Sequence, residues 1–174
     1  LVGGKAPFTN PAAQGVTELS AMPGRLITAS YHGDLSVYLR NKDKDPRLLN
    51  WIVTTHKISD LACSTEVCYA AALADGLFVY EPNENGYPDL VEALSPDKTV
   101  ELVHVEDDLL FVSYLGAQGA SGFFVYNISD ASNPRLIHRI SSESIVKNFA
   151  TVGPMIYVLL EDGQLNIYTR ESLH

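Results

Sequence analysis

The sequence has little that could span a bilayer, bind a nucleic acid or run a familiar reaction. No run approaches the roughly 18 apolar residues that a membrane helix needs, and no stretch of about fifteen residues carries a helical stripe. Basic residues number only 12 against 21 acidic ones, for a formal charge of −9 and a pI of about 4.9. They are scattered, whereas a phosphate backbone must be met by clustered Lys and Arg. No nucleophile elbow, P-loop, HExxH or CxxC pair occurs. Asp43-Lys44-Asp45 is too short and too mixed in sign for an EF-hand loop. These gaps lead us to expect no catalytic residues, no metal and no cofactor.

Cysteine is scarce too: Cys63 and Cys68 are the only two. They bracket the loop Ser64-Thr65-Glu66-Val67, and facing positions of an antiparallel pair lie within the span of a disulfide. A bridge there is feasible; the alternative is two free, half-buried thiols. So small a ring makes any bridge a local clip rather than the source of stability.

What the sequence does hold is a repeat. Of its 174 residues 46% are hydrophobic and 19% charged, enough for one domain with a real core. Short apolar runs end in Tyr38, Tyr80, Tyr126 and Tyr168, at steps of 42, 46 and 42 residues. Val16, Ile58, Val100 and Val146 keep the same register, as do Leu19, Leu61, Val103 and Phe149. A period of this size is that of a four-stranded propeller blade. The long step has a location, since Phe111 and Tyr126 stand farther apart than Tyr69 and Tyr80 or Tyr157 and Tyr168. Four extra residues therefore sit in the small-residue segment Gly116 to Ser121, which we expect to lie outside the core. Pro46, Pro88 and Pro134 follow the aromatics at a constant distance.

The third unit, Gly122-Phe123-Phe124-Val125-Tyr126-Asn127-Ile128-Ser129-Asp130-Ala131-Ser132-Asn133-Pro134-Arg135-Leu136-Ile137, resembles the LVIVD repeat, a β-propeller repeat of bacterial and archaeal surface proteins. Gly76-Leu77-Phe78-Val79-Tyr80 with Pro88 and Leu35-Ser36-Val37-Tyr38 with Pro46 keep only its frame. The resemblance implies an all-β propeller and implies no enzyme.

The expected organisation is an irregular arm or closing strand over residues 1–15 and a β-propeller over residues 16–174. Its blades fall at about 16–56, 57–98, 99–143 and 144–174. Each is a run of strand-length segments bounded by turn formers such as Asp75-Gly76, Asp107-Asp108 and Asp162-Gly163. The second strands, including Leu109 to Val112 and Met155 to Leu160, are apolar on both faces, as strands sandwiched between neighbouring blades should be. The last blade ends after its third strand. An open edge of that kind is an aggregation hazard, with three remedies. The arm supplies the missing strand, two copies join into an eight-bladed ring, or the chain is part of a longer propeller completed by another polypeptide. Leu1 at the start and the lack of a basic-apolar leader fit a processed mature protein or an excised segment.

For function the expectation is a non-enzymatic scaffold or recognition module that mediates protein–protein assembly at the cell surface or outside the cell. The partner would be another protein or a second copy of the chain, with neither nucleic acid nor membrane span. Loops that converge on one face would supply His32, His56, Lys57, Lys98, Tyr114, Gln118 and Glu143 as ligand-binding residues. His104, on an innermost strand, lines the channel or is a hydrogen-bonded strand residue. The alternative function is a carbohydrate-binding or glycan-processing propeller, with Tyr31, Tyr87 and Tyr114 placed to stack on sugars. Such a hydrolase would need two carboxylates about 5 to 9.5 Å apart, and Glu18, Asp60 and Glu101 are the innermost candidates. Asn127-Ile128-Ser129 fits the glycosylation acceptor pattern, although turn chemistry already explains it.

Overall fold

The computed structural model describes residues 15–40, 45–94 and 98–173. The arm expected over 1–15 lies outside the described residues except for Gly15, as does the Lys42 to Lys44 turn. The chain folds as a four-bladed β-propeller of consecutive antiparallel meanders. The first blade is β1 (Val16–Met22), β2 (Arg25–Ser30), β3 (Asp34–Leu39) and β4 (Arg47–Val53). The second is β5 (Asp60–Cys63), β6 (Cys68–Ala71), β7 (Leu77–Pro82) and β8 (Pro88–Leu94). The third is β9 (Thr99–Glu106), β10 (Leu109–Leu115), β11 (Ser121–Asn127) and β12 (Arg135–Ser142). The fourth has three strands, β13 (Val146–Val152), β14 (Met155–Leu160) and β15 (Leu165–Thr169). Among the described residues the only helical turns are 3-10 turns at Ala117–Gly119 and Arg170–Leu173.

The repeat is visible atom by atom. Tyr38, Tyr80, Tyr126 and Tyr168 each sit on a third strand, opposite Leu26, Cys68, Leu110 and Ile156. In each complete blade the third and fourth strands slip register at the same column, between Val37 and Tyr38, Val79 and Tyr80, and Val125 and Tyr126. A bulge of this kind inserts one extra residue and sharpens local twist, which a radially arranged blade needs.

Blades adhere by apolar contact. Ile27, Ala29, Leu35 and Val37 of the first blade pack on Leu61, Cys68, Ala70 and Phe78 of the second. Tyr69, Ala71, Leu77 and Val79 of the second pack on Val103, Leu110, Val112 and Phe124 of the third. Phe111, Phe123 and Val125 of the third meet Phe149, Ile156 and Val158 of the fourth. An isolated bridge adds backbone bonding between blades, with Leu73 and Val100 exchanging two N–H···O bonds of 2.9 Å.

The inner strand of the second blade begins at Asp60, although Ile58 is buried, and that of the fourth begins at Val146. Three local expectations are corrected. In the Asp75-Gly76 hairpin the left-handed residues are Leu73 and Gly76, because Leu73 turns to reach Val100. Ser121 is core, buried at the start of β11 where its hydroxyl donates to the carbonyls of Ser142 and Ser144; the rest of the insertion is surface. Last, β14 is not sandwiched, because Leu159 on its outer face is 41% exposed.

Cys63 and Cys68 face each other across β5 and β6 and form a disulfide. Reducing it should lower stability by about 2 kcal/mol, the loop-closure entropy of a very small ring, with the fold retained; thermal melts with and without reductant check this. Phe111 is fully buried, with Phe149 at 5.8 Å and Phe123 at 6.5 Å between ring centroids. Phe111→Ala should cost about 3–5 kcal/mol in urea unfolding, whereas Leu165→Ala, at a position 55% exposed, should cost less than about 1 kcal/mol.

Candidate functional site

Three regions carry polar side chains held in defined positions: the channel formed by the inner strands and the loops at its two ends. Along the channel, polar side chains stitch one inner strand to the next. Asp60 accepts the N–H of Val103 at 2.9 Å and that of Leu61 at 2.8 Å. Ser59 donates its hydroxyl to the Glu101 carbonyl at 2.9 Å, and Ser20 accepts the Cys63 N–H at 2.9 Å. Burial raises the Asp60 pKa above the ordinary carboxylate value, and the two N–H bonds pull it partly back. Burial also raises Glu18, helped by the negative charge of Asp60. Of the candidate carboxylates, Glu18 and Asp60 thus share one electrostatic environment, but both Asp60 oxygens are engaged, Oδ2 bracing the third blade through Val103 and Oδ1 holding the adjacent Leu61 N–H.

His104 proves to be a hydrogen-bonded strand residue. Its Nε2 lies 3.3 Å from the Thr151 hydroxyl, and its ring sits between Phe111 and Phe149. Burial lowers its pKa below the ordinary 6.5, partly offset by Glu106 and Asp60.

At the end reached by the β2–β3 turn and the blade-connecting loops lie the residues singled out from sequence, in small groups rather than one site. Lys57 stands over the Tyr31 ring at 5.1 Å, with His32 edge-on to the same ring at 6.0 Å. His56 stacks on Phe78 at 4.3 Å and pairs with Asp75 at 3.1 Å. Gly33 makes that corner, since a Cβ on it would meet the His56 carbonyl at 2.3 Å. Lys98 covers the Tyr114 ring at 4.9 Å. Gln118 and Glu143 are exposed at the same end, Gln118 in a left-handed conformation.

Tyr114 requires a correction. It is 5% exposed and packed on Phe124 at 4.5 Å, so it is core and cannot stack on a sugar. Tyr31 and Tyr87 are both 43% exposed but stand at opposite ends of the molecule, in the β2–β3 and β7–β8 turns.

A concavity lies at the other end. A recess of about 550 Å³ is lined by the turns of three blades, with Met22 and Arg40 from the first, Ser64 and Glu66 from the second, and Asp107 and Ile128 from the third. Its walls are braced. The Tyr69 hydroxyl donates to the Ala131 carbonyl at 2.7 Å, and Arg170 pairs with Asp107 at 2.6 Å and also with Asp108. Away from the recess lining, Arg25 joins the first blade to the second by donating to the carbonyls of Pro82 and Asn83. Sequence reasoning missed Arg40 and Glu66, because hairpin turns carry no mark of which ones converge. Beside the recess, the Asn127 carboxamide oxygen accepts the N–H and hydroxyl of Ser129, an Asx-type turn.

No family model and no curated protein matches the sequence. Solved structures do match by shape. The computationally designed Ika4 protein superposes with a TM-score of 0.72 at 13% identity, over 95% of this chain and 98% of its own. The designed Ika8 protein gives 0.67 at 13% identity, and BamB from Moraxella catarrhalis 0.66 at 8%. They cover 89% and 91% of this chain, which spans about half of each, 46% and 48%. At such identities the likeness shows the propeller fold alone.

The buried histidine makes a prediction. Below pH 6.5 the unfolded chain takes a proton that folded His104 resists, so its contribution to stability is complete above that pH and is lost as pH falls through it. Glu18 and Asp60, both raised, act oppositely, their folded forms gaining stability as pH falls. The melting temperature of the wild type should therefore drop relative to His104→Gln between pH of about 7.5 and 5.5, as read by parallel thermal melts.

Proposed function

We propose that this propeller is a non-enzymatic recognition or assembly module, related to the LVIVD type of surface propeller, which binds polypeptide outside the cytoplasm. The observation that carries the reading is the recess at the Arg40 and Glu66 end. It draws on three blades and sets Arg40, Glu66 and the Arg170-paired Asp107 around apolar Met22 and Ile128. A wide, braced, mixed-charge depression suits a peptide strand or loop, which offers backbone groups, charges and apolar side chains together. In the channel the best-placed carboxylate, Asp60, is spent on backbone N–H groups, which supports a scaffold over a hydrolase. The disulfide supports an oxidising compartment.

A displayed random-peptide library selected on the wild type tests the reading. Enriched peptides should lose about tenfold or more in affinity to Arg40→Ala and Glu66→Ala, as removal of an interface anchor costs. Failure to enrich any peptide, or binding that both variants leave unchanged, would overturn it.

A further inference from the structure

The repeat makes one exposed surface anomalous. In each of the first three blades, two residues of the second strand and two of the third turn towards the following blade. These are Ile27, Ala29, Leu35 and Val37; then Tyr69, Ala71, Leu77 and Val79; then Phe111, Ser113, Phe123 and Val125. None is more than 3% exposed. The same columns in the fourth blade hold Tyr157, Leu159, Leu165 and Ile167, of which the last three are 41%, 55% and 54% exposed. Register places these side chains on one face with Ala150, Val152 and Met155, and with Asn148 and Thr169 as its polar members. No residue paired on this face is charged, although the chain carries a net −9; the Lys147–Glu161 ion pair stands at its border. The side chains are those of an interior blade interface, and among the described residues nothing covers them.

We propose that this face of the fourth blade is covered by the same face of a second copy, related by a two-fold axis. Three observations favour that occupant. First, on the receiving face of the first blade, which a head-to-tail contact would need, only the inner-strand Leu19 is strongly exposed, at 61%, while Thr28, Ser36 and Tyr38 behind it are 8%, 8% and 3% exposed. Second, an isologous contact pairs the same face of each copy and then stops, so it closes. Third, two three-stranded faces of this size would bury roughly 1,000 Å² in total, at the threshold for a specific interface. The contact goes beyond the peptide-binding reading, because it uses neither the recess nor its residues.

Because the face is uncharged and both molecules are acidic, association should tighten with salt, which screens their mutual repulsion. Sedimentation velocity across a concentration series should show a monomer–dimer equilibrium with a Kd of about 10–100 μM, the dimer strengthening in high salt. Ile167→Glu should weaken it at least ~10-fold, as loss of a central anchor does. Leu165→Gln is the milder second variant, and near-UV circular dichroism confirms that each keeps its fold. In a third variant, Ile167→Cys, mild oxidation should join two copies through that position. A wild type that stays monomeric at about 200 μM, well above that range, overturns the proposal. So does a dimer that both face variants leave intact, or cross-linking of Ile167→Cys to Leu19→Cys on the first blade in preference to itself.

Discussion

A blade of this protein cannot bury both of its faces by itself. Its second and third strands are apolar on both sides, and only a neighbouring blade on each flank removes them from water. That dependence explains why burial is near total at Tyr69, Phe111 and Phe123, and why three apolar clusters each join one blade to the next. Stability in such a chain is close to a sum of nearest-neighbour contacts, so each blade interface holds its two neighbours in place. Leu19 is 61% exposed where its counterparts Leu61, Val103 and Phe149 are 5% or 6% exposed. The difference comes from position in the array, not from side-chain chemistry.

The inner strands face a different problem. Converging on an axis, they leave backbone N–H and C=O groups that no ladder partner satisfies, and an unpaired buried group is costly. Short polar side chains meet that need: Ser20 for Cys63, Asp60 for Val103, Ser59 for Glu101. Asp60 and Glu18 carry raised pKa values because burial opposes their charge. Perturbed carboxylates often mark catalysis, but here the geometry assigns one of them to bracing. The polar groups left facing outward are those of the turns, and the turns meet at the two ends.

Those ends differ in kind. One presents separate cation–aromatic pairs, Lys57 on Tyr31 and Lys98 on Tyr114, whose partners are already satisfied within the fold. The other holds a recess whose lining residues Asp107 and Ala131 are held by Arg170 and Tyr69. Preformed walls lower the ordering cost of binding, which is what a recognition surface gains from a rigid scaffold.

Spacing alone carried the architecture. Columns at steps of 42 and 46 residues dictate four copies of one sheet, locate the insertion, and leave the fourth blade a strand short. Local chemistry also placed Cys63 opposite Cys68, because a four-residue loop between two strands brings its ends together. Tertiary structure decided the rest. Whether Tyr114 is a surface platform or core depends on Phe124, ten residues away in sequence and 4.5 Å away in space. Whether Leu159 is sandwiched depends on what packs on its face, and among the described residues nothing does, leaving it 41% exposed. Arg40, Glu66 and Asp107 line one recess only because three blades rotate about a common axis, and a repeat read along the chain records the period but not that rotation.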